Sequence, residues 1–123
     1  MNSSFFIAAV LSVAMAFAHS FMGERYFLNR LLKRSAEEDF GSDLYANRTI
    51  RVAWHFTAVS WGTAGILLAI FSWEPSNPSI ILVSKLIAGW FFVNGLISLI
   101  GSRGRHLSWL IFFGITAIIL LGI

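Results

Sequence analysis

Four apolar runs separated by short polar breaks leave this chain little choice of architecture. They are FFIAAVLSVAMAFAHSFM (Phe5 to Met22), VAWHFTAVSWGTAGILLAIFSW (Val52 to Trp73), IILVSKLIAGWFFVNGLISLI (Ile80 to Ile100) and LSWLIFFGITAIILLGI (Leu107 to Ile123). Each approaches or exceeds the ~17 to 25 residues with which a helix spans a bilayer. A soluble core has no room for so much apolar surface: 57% of the 123 residues are apolar and 12% charged, against roughly 25% charged in soluble domains. The expected fold is all-α, a transmembrane four-helix bundle forming one domain over residues 1–123. Its spans fall at about 5–22, 52–73, 80–100 and 107–123, with one sizeable extramembrane piece, 24–50.

Charge placement orients the bundle. Eight of the nine bases (Arg25, Arg30, Lys33, Arg34, Arg48, Arg51, Arg103, Arg105) lie between the first and second or the third and fourth runs, and SWEPSNPS between the second and third has none. The positive-inside rule then puts both basic loops in the cytoplasm and both termini outside. Lys85, the ninth, is close enough to a helix end to snorkel to the outer interface. The net charge of +3 is thus topological and lipid-facing, which makes the bilayer the expected partner and excludes nucleic acid. With no cysteine, disulfide exchange, thiolate nucleophiles and thiolate metal sites are excluded too.

AFA ending at Ala18 also fits a signal-peptide cleavage pattern, which would leave His19 as an amino-terminal copper chelator. MNSS lacks a positive n-region, however, and the bases after Met22 look like a stop-transfer flank, so the first run is expected to stay as a helix. After it, ERYFLNRLLKR places Phe27, Leu28, Leu31 and Leu32 at helical spacing, suiting a helix at the headgroups. SAEEDFGSDLYANR then turns acidic, and Glu37, Glu38 and Asp39 are expected to form a solvated loop. The sequons at Asn2 and Asn47 carry no weight at these positions.

Small residues mark the faces that pack. Ala8, Ser12, Ala16, His19 and Gly23 share a stripe of the first span, and Arg51, His55, Ala58, Gly62, Gly65 and Ala69 one of the second; transmembrane helices approach closely through such stripes. A looser third stripe holds Ser84, Ala88, Gly95, Ser98 and Ser102, with Asn94 beside it. Trp54, Trp73 and Trp109 are placed as belt residues, and Trp61 and Trp90 as packing. At 1.5 Å per residue, His19 and His55 fall at one level, ~8 Å from the cytoplasmic ends of their helices. His106 opens the fourth helix near that level, Asn94 and Ser98 approach it, and Glu24 and Arg51 are placed to pair at the adjoining interface. Ionisable residues at membrane depth are candidate functional groups.

Three histidines from three helices suit a metal ion, and two facing imidazoles suit haem b. On this reading His19, His55 and His106 are the ligands, with Glu24, Arg51, Asn94, Ser98 and Trp54 supporting them or contacting a ligand. No HxxxH, ExxH or HExxH spacing accompanies them, and the same histidines would serve equally as hydrogen-bonded ties between helices.

The combination HSFMGER, RVAWHFTAVSW and RHLSW resembles a group of uncharacterised small bacterial four-helix integral membrane proteins. The resemblance covers most of the chain, marks His19, Gly23, Glu24, Arg51, Trp54 and His55, and implies a bacterial cytoplasmic (inner) membrane without implying an activity. Three expectations follow: an intramembrane metal or haem protein; an oligomeric small transporter or channel subunit whose histidines relay protons; an accessory subunit whose arm from Glu24 to Arg48 docks a larger membrane complex. No nucleophile and base pair is visible in the sequence, so enzymatic function ranks below these. A quinone or lipid headgroup between His19, His55 and Trp54 stays open.

Overall fold

The computed structural model describes residues 1–37 and 44–123, whose elements are all helical. Helix α1 (Ser3–Met22) runs without a break into a π-helical stretch (Gly23–Leu28) and on into α2 (Asn29–Glu37). Helices α3 (Leu44–Phe71), α4 (Pro78–Gly101) and α5 (Ser108–Leu121) follow. Three helices, 3–34, 45–71 and 78–101, are long and apolar enough to cross a membrane. Helix α5, with 14 residues, covers only about 21 Å at 1.5 Å per residue, against a hydrocarbon core of ~30 Å.

Two boundaries differ from those read off the sequence. The helix expected over ERYFLNRLLKR is present but continues α1 without a break, and α3 starts eight residues before Val52, so the stretch 24–50 is mainly helix. Leu31, Leu32, Ala46 and the flanking bases are sound helix formers, and a helix already nucleated extends at little cost. Of the acidic run expected as a loop, Glu37 is instead the last residue of α2, and Glu38 and Asp39 lie outside the described residues.

The chain divides into two compact units, 1–12 with 64–123, and 13–63. In the first, Phe5, Ala8, Leu68, Ile87, Ala88, Phe91, Phe112, Ile115 and Ile119 form the buried core. Gly95 lets α4 close on α5: a Cβ there would stand 2.5 Å from the Phe113 ring. Thr116 Oγ1 donates across that contact to the Ala88 carbonyl at 3.2 Å. Asn77 caps α4, its Oδ1 accepting from the Ser79 N–H at 2.9 Å ahead of Pro78. The other end of α4 stops where Arg103 and Gly104 take positive φ, 51° and 75°, letting the Gly104 N–H reach back to the Leu99 carbonyl at 2.9 Å.

Asn2 fastens the chain's beginning to this unit. Its Oδ1 accepts from the Phe5 N–H at 3.0 Å, as an N-cap does, while its Nδ2 donates to the Gly122 carbonyl at 2.7 Å and its N–H to Ser72 O at 2.7 Å. Asn2→Ala should cost about 1 to 2 kcal/mol, the worth of a cap plus a tertiary hydrogen bond. Asn2→Asp, which keeps the cap and loses the bond to Gly122, should recover about half, read by thermal unfolding in detergent.

In the second unit the small-residue stripes pack as expected. Ala16 and Ala58 are buried, and a Cβ built on Gly62 would touch Ala16 at 3.7 Å. The exposed surfaces of α1, α3, α4 and α5 are dominated by residues such as Phe17, Ile66, Leu86, Ile97 and Leu121. Polar side chains on them satisfy themselves within their own helix: Thr57 on Ala53 O (3.1 Å), Ser60 on Phe56 O (2.9 Å) and Asn94 on Trp90 O (2.8 Å). In hydrocarbon, where water cannot serve as partner, such back-bonds keep a hydroxyl or amide tolerable. Trp90, expected to pack, is instead 37% exposed on α4.

Candidate functional site

Within the 13–63 unit a continuous polar array links α1, the π-helical stretch and α3. Ser20 Oγ and His55 Nδ1 lie 2.5 Å apart. On the opposite side of the ring, His55 Nε2 faces Glu24 Oε2 at 3.2 Å. The other carboxylate oxygen of Glu24 accepts from Arg51 Nη1, and Arg51 Nη2 donates to Asn29 Oδ1 at 3.3 Å. The pairing fixes the imidazole tautomer. An ionised Glu24 only accepts, so Nε2 carries the proton and donates it, which leaves Nδ1 to accept from the Ser20 hydroxyl.

The backbone explains how five side chains reach one place. Ser20 and Glu24 are four apart, hence on one face of a helix of 3.6 residues per turn, and Arg51 and His55 stand likewise on α3. Glu24 and Asn29 are five apart and would diverge on an α-helix. The π-turn brings them to one side, with the Asn29 N–H bonded to Glu24 O, so both grip one guanidinium.

Gly23 opens that stretch because Trp54 lies against it: a Cβ at 23 would fall within the indole ring. Trp54 Nε1 donates to the His19 carbonyl at 3.0 Å. Its ring stacks on the His19 imidazole, centroids 4.3 Å apart and 5° from parallel, with Phe27 at 5.0 Å. The buried Trp61 meets the same imidazole edge-on at 4.7 Å. Trp54 is therefore a packed tie between helices.

His19 and His55 do occupy neighbouring positions, through different partners: His55 in the polar array, His19 in an aromatic sandwich. The expected Glu24–Arg51 ion pair is present. The remaining sequence candidates belong to the 1–12/64–123 unit. There the exposed His106 takes the Ser108 hydroxyl on Nδ1 at 2.8 Å and donates its N–H to Ser102 Oγ at 3.2 Å, while Ser98 and Ser108 meet at 2.5 Å. This set locks the α4–α5 turn. Asn94 bonds the Trp90 carbonyl of its own helix. Among the described residues no group of three or more His, Cys, Asp or Glu side chains is gathered to hold a metal ion. A metal at His55 would have to displace Ser20 or Glu24, since both ring nitrogens are engaged.

No family model, curated protein or solved structure matches the chain. The arrangement of the side chains is therefore what bears on function.

Beside the array opens a pocket of about 500 Å³, lined by Phe17, Ser20, Phe21, Glu24, Arg25, Asn29 and His55. Ser20 and Asn29 had no assigned role in the sequence, and Arg25 only a topological one. Helical spacing from Glu24 was a usable signal for Ser20. For Asn29 there was none, because its position depends on a π-turn.

Proposed function

We propose that this chain is an integral membrane protein of a bacterial cytoplasmic membrane. Its three long helices cross, the short α5 makes the fourth passage by local thinning of the bilayer, both termini lie outside, and its Ser20–His55–Glu24–Arg51 array handles protons within an oligomeric small transporter or channel. The observation that carries this is His55, bonded through both ring nitrogens to a hydroxyl on one side and a carboxylate on the other. Imidazole takes a proton at one nitrogen and gives one up from the other. A proton arriving from the pocket by way of the Ser20 hydroxyl is accepted at Nδ1, and the Nε2 proton passes to Glu24. Arg51 holds the other carboxylate oxygen and so keeps Oε2 turned to the ring, and tautomer exchange returns the ring to its starting state. Four helices enclose little pathway by themselves, so the conducting unit is an oligomer.

The test is proton flux in liposomes carrying a pH-sensitive dye. Wild-type protein should dissipate an imposed gradient, His55→Ala should fall to the level of empty vesicles, and Ser20→Ala should slow the flux by roughly 100-fold or more, the scale of one lost proton-transfer partner. Equal rates for all three would sink the relay. A stoichiometric metal or a haem absorption band present in wild type and absent from His55→Ala would replace it with the cofactor reading.

A further inference from the structure

The pocket beside the array holds a positive charge that the array does not use. Both oxygens of Glu24 are engaged, one by Arg51 and one by His55. Arg25, exposed on the same wall, has no carboxylate partner among the described residues. Its guanidinium lies over the rings of Phe21 and Tyr26, at 6.0 and 5.5 Å from their centroids, which holds it at the pocket. Asn29 turns its Oδ1 to Arg51, and its amide Nδ2 remains a donor on the same wall. Arg51, which stands outside the lining, already pairs with Glu24, so Arg25 is left as the pocket's uncompensated positive charge.

Phe17, Phe21 and Arg25 follow one another at four-residue spacing, a single stripe along α1 and the turn after it. The two phenylalanines are 74% and 62% exposed. An anion seated at Arg25 would thus have an apolar rail running from it along α1, where the chain is apolar to Phe5. A free inorganic anion has no use for that rail. A molecule with an anionic head and an acyl chain matches both parts.

We propose that this pocket binds one anionic phospholipid. Its phosphate is held by Arg25, with Asn29 Nδ2 as a second donor, and its proximal acyl chain lies on Phe17 and Phe21. Arginine suits the role because its planar fork pairs two donors with phosphate oxygens and is weakly hydrated. The inference rests on the chain lying in a bilayer and not on proton movement, so lipid retention and proton flux can succeed or fail separately.

The experiment is native mass spectrometry of purified protein released from micelles containing equal amounts of phosphatidylglycerol and phosphatidylcholine. Wild type should retain one phosphatidylglycerol in preference to phosphatidylcholine by roughly tenfold, the scale of one charge-assisted hydrogen bond. Arg25→Ala should lose the preference. Arg30→Ala, which removes an exposed base that does not line the pocket, should keep it, with circular dichroism showing that both variants remain helical. Millimolar inorganic phosphate should not displace the lipid. No preference in wild type, an equal loss in Arg30→Ala, or displacement by free phosphate would each overturn the assignment.

Discussion

Gly23→Ala is expected to destabilise the 13–63 unit by about 1 to 3 kcal/mol, the range for a side chain forced into a filled space. The added methyl would fall within the Trp54 indole, and the indole cannot swing away cheaply. It is held by its hydrogen bond to the His19 carbonyl, by the parallel stack on the His19 ring and by Phe27. Moving it forfeits all three contacts and leaves the His19 region to repack. Hydrophobic transfer offers little relief in a bilayer, where lipid chains are as apolar as the protein interior and packing carries the association of helices. The measurement is a double-mutant cycle by unfolding in mixed micelles. Trp54→Ala should itself cost stability, yet Gly23→Ala in that background should cost less than about 0.5 kcal/mol, because the colliding ring is gone. Additive penalties would mean that Gly23 matters for the π-turn itself and not for the close approach of Trp54.

Glu24 carries the second large effect, because one carboxylate serves both Arg51 and His55. Glu24→Ala removes both acceptors. The site is partly exposed, with side-chain exposures of 32% for Glu24, 41% for Arg51 and 40% for His55. Solvent screening therefore holds the loss to about 1 to 2 kcal/mol, below the cost at a fully buried pair. Glu24→Gln is the more informative change. It can still accept from Arg51 through its carbonyl oxygen, but it turns an NH₂ donor toward His55 Nε2. Two donors cannot share that contact, so the imidazole should shift its proton to Nδ1 and reverse the bond to Ser20. Nitrogen-15 spectra of the histidine side chains should show the Nε2–H form in wild type and the Nδ1–H form in Glu24→Gln, with proton flux reduced alongside. An unchanged tautomer in Glu24→Gln would mean that the carboxylate does not set the proton's position on His55, and the direction of transfer drawn above would have to be abandoned.

Much of this was legible from the residues. The three long apolar helices, the burial of Ala8, Ser12, Ala16 and Ala58, and the Glu24–Arg51 pair follow from hydropathy and helical spacing, which are local properties of the chain. The count of residues from helix ends also put His19 and His55 at neighbouring positions. Facing direction was another matter. Both histidines were read as equivalent groups, and the structure gives one a hydroxyl and a carboxylate and the other two indoles. A shift of one helical position rotates a side chain by about 100°, so depth alone cannot choose between those surroundings. Asn29 eluded helical counting altogether, since i and i+5 share a side only in a π-turn. The short fourth helix and the early start of α3 likewise depended on where turns close, which hydropathy does not report.

What the sequence determined by itself is the solvent this protein's surface suits and the regions of each helix that pack, because those depend on summed apolarity and on a fixed repeat. Which ring nitrogen meets which oxygen, and why position 23 must lack a side chain, were decided only by tertiary structure. Those properties depend on rotations and separations of a few ångströms between segments 30 residues apart in the chain, over which hydrogen bonds and packing change from favourable to absent.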